Sequence, residues 1–595
     1  MFSVWAPGAS EVELVLGDGT ERDPDRREPM ARTERGWWRS ELAAPHGTRY
    51  AFSLDGGPPR PDPRSRSQPD GVHGRSEVVD LTRLRSGSGR SRRWRGLPLA
   101  GSVLYELHVG TFTAEGTFDA AIDRLDHLVA LGVDAVELMP LAAFPGRHGW
   151  GYDGVALYAV HAPYGGPAGL VRFVDACHER GLGVVLDVVH NHLGPSGNYL
   201  GEFGPYFSER HHTNWGAAVN LDGPGSDEVR RFVIDNALMW LGDYGIDGLR
   251  LDAVHALVDD SAVHLLEQLS EEVEAASAGW GRTCFLIAES DLNDPRFVRS
   301  RDAGGFGLDA SWADEWHHAL HSVLTGERSG YYEDFGTLDD LGVALRQAWV
   351  YAGRWSPHRD RVHGRSPAGL PGHRFVVSTQ NHDQVGNRAA GERLGRLVSG
   401  ERLRVAAALL LTSPFTPMLF QGEEWGATTP FQYFTDHDDP ELAAAVSRGR
   451  RNEFRSFGWA PEDVPDPQDP GTRERSVLDW TEPERPEHAA LLDWHRRLIR
   501  LRRSLPELTD GRWERTSCQV GPDPCAAEGW VRYRRGRVLV AANLSHRTES
   551  VPTGPAELLL ASDDGVEVHH DEVTLPPDTV AVLRCHHTTG QEHHT

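Results

Sequence analysis

From Ser102 onward the chain repeats one unit, a short apolar run with strand character followed by an amphipathic stretch with helical spacing. Eight runs fit: VLYELHV, AVELMP, GVVLDVV, GLRLD, CFLIAE, GLDASW, FVVST and PMLFQG. Helical stretches between them include residues 118–131, 169–180, 227–244 and 261–276. Strands that alternate with helices must pair in parallel, and eight such units favour closure into a (β/α)8 barrel over an open sheet.

The flanks follow another rule. Residues 1–84 alternate apolar and polar positions in short runs (VELVLG, WWRSEL, RYAFSLDG) between Gly, Pro and Asp turns, the pattern of a small β-sandwich. A Ser, Gly and Arg-rich stretch, RLRSGSGRSRRWRGLPLAG, reads as an exposed linker over 85–101. The barrel is expected over 102–505 and a second β-sandwich over 506–586, with a frayed tail at 587–595. The fold class is therefore α/β, a central TIM barrel between two β-sandwiches. Two connections, at 193–221 and 422–486, exceed ordinary βα loops and are expected to wall the cleft.

In a parallel barrel the side chains at strand C-terminal ends converge on one mouth. The runs VVLDVVHNH, GLRLDAVH, FLIAES and FVVSTQNHD place Asp252, Glu289 and Asp383 there. Glycosidic cleavage needs two carboxyl groups in different protonation states. Arg250 precedes Asp252 by two residues, so both face one side of the strand, which favours Asp252 as nucleophile. Glu289 ends the most apolar run, where burial raises a carboxylic acid toward general-acid range. Asp383, beside His382, suits stabilisation of an oxocarbenium-like transition state. Each residue alone could instead cap a helix or pair with an Arg; the conjunction points to chemistry. His190, His192, His255 and His382 could form a metal cluster, but their strand-end positions suit hydroxyl recognition better.

Composition excludes other classes. A net charge of -26 repels phosphate backbones, so nucleic acid is not an expected partner. All 61 basic residues are Arg, which removes Schiff-base and phosphate-loop lysine chemistry. Five cysteines without metal-ligand spacing suit a reduced, cytoplasmic protein. The start MFSVWAPGAS lacks a signal pattern and no stretch is apolar enough to span a bilayer, so no membrane partner is expected.

The segments DVVHNH, GLRLDAVH, IAES and NHD resemble the four signature segments of the α-amylase family of glycoside hydrolases. That resemblance implies Asp252 as nucleophile, Glu289 as acid/base and Asp383 as transition-state stabiliser, with His192, Arg250 and His382 around the reacting glucose. Flanking text, including YELHVGTFT, GWGYDGVALYA, QNHDQVGNRAAGERL and FTDHDDPELAAAVSRGRRNEF, is similar to the branch of that family that acts on maltooligosyl trehalose. Such enzymes hydrolyse the α-1,4 bond next to the terminal trehalose. A 1,4-α-glucan branching enzyme, or another α-glucan hydrolase of the family, is the alternative implied.

His255 followed by Ala256 departs from the Lys-His pair of many amylases, and His190 stands where relatives often have Tyr. Carried over as substrate contacts are Tyr152 as a stacking ring, Trp215, His255, Asp314, His317, Gln384 and Asn387. Packing, capping or surface roles stand as alternatives for Tyr152, Trp215, Asp314, His317, Gln384 and Asn387. Asp187 and Asn191 occupy positions that help bind calcium in many amylases, but no carboxylate cage is evident nearby, so neither metal nor cofactor is expected. Either a monomer or a homodimer is compatible with the sequence.

Overall fold

A computed structural model describes residues 1–20, 23–86, 94–455, 460 and 463–586. Its centre is a closed eight-stranded barrel. The strands are β1 (Leu104–Leu107), β2 (Ala135–Leu138), β3 (Gly183–Val188), β4 (Gly248–Leu251), β5 (Phe285–Ala288), β6 (Ala310–Trp312), β7 (Phe375–Ser378) and β8 (Thr416–Phe420). All eight coincide with the apolar runs. Each pairs in parallel with its neighbours, and Met418 opposite Leu104 closes the ring between β8 and β1. Every strand residue is buried, as helices outside and side chains inside require of both strand faces.

The helices follow their periodicity with three adjustments. The stretch 118–131 is two helices, Phe118–Ile122 and Leu125–Leu131. The spacing of Phe118, Ala121, Leu125 and Leu128 runs through the break, so periodicity alone conceals it. Ser226–Leu238 continues as a π-helical turn, Met239–Tyr244, and stops at Gly245, whose φ of 83° ends the winding. The fourth stretch starts only at Leu265, because Asp259 accepts the N–H groups of Ser261 and Leu265 and the His264 ring caps Leu266.

Two sheets of three and four strands fill the N-terminal module, and sheets of five and three strands form the C-terminal one. The expected exposed linker is a correction. Leu81–Ser86 is helical, and Trp94 stacks on His178 at 4.6 Å while donating to Asp247 at 2.8 Å. Leu97 and Leu99 pack against Leu104, Ala135 and Phe285, the first residues of their strands, so this segment plugs the N-terminal mouth of the barrel. Arg content made it look solvated, but Trp94 between two arginines and the leucines that follow Arg95 are what pack. Residues 87–93 and the tail at 587–595 lie outside the described residues.

Both long connections carry structure. Residues 193–221 hold a hairpin, Phe207–Thr213 with Gly216–Val219, and 422–486 hold helices Pro440–Arg455 and Pro470–Arg475. Among the described residues, no helix is long and apolar enough to cross a membrane.

Candidate active site

β3, β4, β5 and β7 end at the same mouth, and their C-terminal residues enclose a cavity of about 990 Å³. Asp252, Ala253, His255, Glu289 and Asp383 line it, with Trp150, Tyr152, Asp153 and His192. Hairpin residues Phe207, Trp215 and Ala217 form one wall. Tyr433, Val446, Arg450 and Glu453, from the connection after β8, form another. Both long connections thus contribute walls. The volume lies at the upper end of the range of small-molecule sites.

Arg250 organises the floor. Its fully buried guanidinium donates through Nη1 to both Asp187 oxygens at 2.8 Å and to Asp252 Oδ1 at 2.8 Å. Nη2 lies 3.7 Å from Glu289 Oε2, and the guanidinium stands 4.3 Å over the Trp312 ring. The Asn191 side-chain amide donates to Asp252 Oδ2 at 2.7 Å, so both carboxylate oxygens of Asp252 are held. Asp187 and Asn191, the two positions carried over from calcium-binding relatives, both serve here to hold Arg250 and Asp252. Burial foremost, with Asp252 adding to it, raises Asp187 to about 6 against the pull of Arg250.

Glu289 differs from Asp252 in environment. Burial is the largest influence, and together with the negative potential of Asp252, Asp314 and Asp383 it outweighs Arg250 and raises the carboxyl to about 8. The Ala253 backbone N–H donates to Oε2 at 2.5 Å, so an acid proton on Glu289 resides on Oε1. Ala253 reaches that position with φ 39° and ψ 52°, a left-handed conformation that costs a β-carbon residue about 1–3 kcal/mol. One strained residue therefore joins the end of β4, which carries Asp252, to Glu289.

Asp383 opens the short helix His382–Gly386, is about half exposed, and accepts from Asn387 Nδ2 at 3.4 Å. Its neighbour His382 is buried; its Nε2 lies 2.7 Å from the Tyr152 hydroxyl and 3.5 Å from Asp383 Oδ1. Gly386 permits this packing, since a β-carbon there would fall 2.1 Å from the Trp150 ring. Tyr152 lies parallel to His382 at 5.2 Å, and its hydroxyl donates to Asp187 at 2.5 Å. His192 stacks on Trp215 at 4.7 Å with the rings 5° apart; Trp215 is 50% exposed.

His255 and Asn387 lie on the cavity wall as well. Asp314 begins the helix after β6 and accepts from Gln384 Nε2 at 3.3 Å, and neither residue is among those that line the cavity; burial first, then Asp383, raises Asp314 to about 6. His317 departs from the expected hydroxyl contact. Its ring is buried and both nitrogens are engaged, Nδ1 with the Thr379 carbonyl at 2.7 Å and Nε2 with the Tyr332 hydroxyl at 2.8 Å. Buried His190 faces Asn236 at 2.8 Å and supports the floor. Sequence reasoning passed over Trp150, Asp153, Tyr433, Arg450 and Glu453. Trp150 adjoins Tyr152 in GWGYDG, but nothing local marks the residues contributed by the helix Pro440–Arg455.

A closed parallel barrel whose mouth pairs an Arg-held aspartate with a largely buried glutamate of raised pKa and a third carboxylate defines a glycoside hydrolase of the α-amylase type. The catalytic-domain model for α-amylase matches residues 65–215. Carbohydrate-binding module 48 (isoamylase N-terminal domain) matches 1–63, and a domain of unknown function matches 513–582. A malto-oligosyltrehalose trehalohydrolase of Arthrobacter ramosus is 54% identical over 93% of this chain and 94% of its own length. Another, of Rhizobium sp. (strain M-11), is 50% identical over 98% and 97%. Among solved structures, a putative α-amylase from Salmonella typhimurium is 38% identical, covers 98% of this chain and 97% of its own, and superposes with a TM-score of 0.87. The chain belongs to the malto-oligosyltrehalose trehalohydrolase family.

Proposed function

We propose that this enzyme hydrolyses the α-1,4 bond next to the terminal trehalose of maltooligosyl trehalose by double displacement. The carrying observation is the unequal carboxyl pair: Asp252 held by Arg250 at 2.8 Å, and Glu289 raised by burial to about 8 beside it. Asp252 attacks C1 of the glucose at the cleavage point while Glu289 passes the proton on Oε1 to the leaving trehalose oxygen. Free trehalose and a glycosyl ester on Asp252 result. Glu289, now a carboxylate, takes a proton from water as that water attacks C1, which frees Asp252 and a shortened maltodextrin. Asp383 and the floor acids offset the positive charge that develops at the ring.

His192, Trp215, Tyr152, His255, Gln384, Asn387 and, from behind, Asp314 act in holding the substrate. Trp215 and Tyr152 offer ring faces to sugar, and the cavity suits several glucose units. Five free cysteines fit a reducing, cytoplasmic setting. Incubation with maltotriosyl trehalose, followed by carbohydrate chromatography, tests the reading. Trehalose and maltotriose are expected; no trehalose, with new α-1,6 branches on amylose, would assign a branching enzyme instead.

A further inference from the structure

Beneath the catalytic carboxylates, β1 supplies an acid that the reaction scheme leaves without a task. Glu106, buried in the barrel interior, accepts the His382 backbone N–H on Oε2 at 2.9 Å and faces ring Nδ1 with Oε1 at 2.5 Å. The other ring nitrogen meets Tyr152, whose hydroxyl proton is directed to Asp187 Oδ2 at 2.5 Å. Asp187 is in turn an acceptor of Arg250 through both oxygens. Counting donors and acceptors along this chain leaves the Tyr152 oxygen only as an acceptor toward His382. Nε2 must then carry a hydrogen, and Nδ1, opposite a carboxylate, must carry one as well.

We infer that Glu106 is a positioning residue that keeps His382 a doubly protonated, positively charged ring with its Nε2–H aimed between Tyr152 and Asp383. The assignment rests on the proposed reaction only for its consequence, which is that a charged donor rather than a neutral imidazole meets the sugar and Asp383. Other groups act on the same ring. Asp383 on its own helix favours the charge; Arg250 on β4 opposes it. Asp187 on β3, Glu137 on β2, Asp314 after β6 and His108 after β1 all interact electrostatically with it, and Trp150 and Trp312 close over it at 5.6 and 6.0 Å. Burial alone would lower the ring; Asp383 and Glu106 reverse this and raise it to about 9. Glu137, the register partner of Glu106 on β2, is driven well upward, first by burial and then by Glu106.

Nitrogen NMR of the full-length enzyme with ring-labelled histidine, His382 being assigned by its loss in His382→Asn, tests the inference without any substrate. At pH 7.5 both His382 nitrogens should give protonated shifts in the wild type, and the ring should be neutral in Glu106→Gln. A neutral His382 in the wild type, or one still charged in Glu106→Gln, would overturn the proposal. Kinetics provide the second reading on maltotriosyl trehalose. A ring returned to its ordinary value near 6.5 is charged in only about one molecule in ten at pH 7.5, so Glu106→Gln should lose about tenfold more kcat/KM at pH 7.5 than at pH 5.5. Glu106→Asp, which restores the charge, should recover the wild-type pH profile even at a lower rate. A loss equal at both pH values would reduce Glu106 to a structural clamp. If no trehalose is released by the wild type, the proposed function fails while the NMR reading stands on its own.

Discussion

Replacing Glu289 by Gln should cut catalysis sharply and stabilise the fold together. The Glu289 side chain is 16% exposed, and burial holds its carboxyl near 8 against an ordinary 4.5. At pH 7 the unfolded chain carries this group ionised while the native state holds it protonated, so folding takes up a proton. At 1.36 kcal/mol per pH unit over about 2.5 units, that uptake costs the native state roughly 3 kcal/mol. An amide of the same size escapes the cost, and its oxygen can still accept the Ala253 N–H that now lies 2.5 Å from Oε2. The sign is set by the raised value. Stability conferred by the protonated form is complete below pH 4.5 and is lost as pH rises toward 8. Melting temperatures of wild type and Glu289→Gln, measured from about pH 4.5 to 8.5, should therefore coincide at the acid end and diverge upward, with the variant melting higher and the gap levelling above about pH 8. Trehalose release by the variant should fall by ~10²–10⁴-fold. A gap that is constant with pH, or a variant that melts below the wild type at pH 8, would refute the claim that burial keeps this carboxyl protonated.

Asp252→Asn should lower kcat by roughly 10⁴-fold or more while calorimetry still detects binding of maltotriosyl trehalose; a wild-type rate would mean that the nucleophile is another residue. Arg250→Met strips the shared cation from Asp187 and Asp252, and loss of one partner from a buried ion cluster costs about 3–5 kcal/mol. Denaturant unfolding followed by tryptophan fluorescence should show that loss, and an unchanged midpoint would contradict it. Trp215→Ala removes an exposed ring from the cavity wall, so KM should rise several-fold, in keeping with about 1 kcal/mol of stacking, with kcat nearly unchanged. A fall in kcat alone would place the ring at the reacting centre instead.

The barrel was legible because its strands are buried on both faces and each appears as an uninterrupted apolar run. That Asp252, Glu289 and Asp383 line one cavity was legible for a related reason: each closes or follows such a run, and strand C-terminal ends share one mouth, whereas any one of them alone could have capped a helix or paired with an Arg. The plug at 94–101 was not, since the Arg-rich run that leads into it masks Leu97 and Leu99, and only the barrel mouth gives those leucines a place to pack. His317 shows the limit from the other side. It follows a strand end as the true cavity residues do, yet one turn of helix carries it back against Thr379 and Tyr332. Arg450 and Glu453 reach the cavity from a helix some 200 residues beyond Asp252, a convergence that no local pattern records. Glu106 did leave a trace, an acid inside the β1 run, but its value emerges only when the barrel closes and brings His382, from the end of β7, against it.

Proton NMR of the first minutes of maltotriosyl trehalose hydrolysis tests both the substrate and the two-carboxylate scheme in a single time course. Free trehalose should appear together with the α-anomer of maltotriose, which then mutarotates toward the equilibrium mixture. Initial formation of the β-anomer, or cleavage that yields no trehalose, would contradict the account.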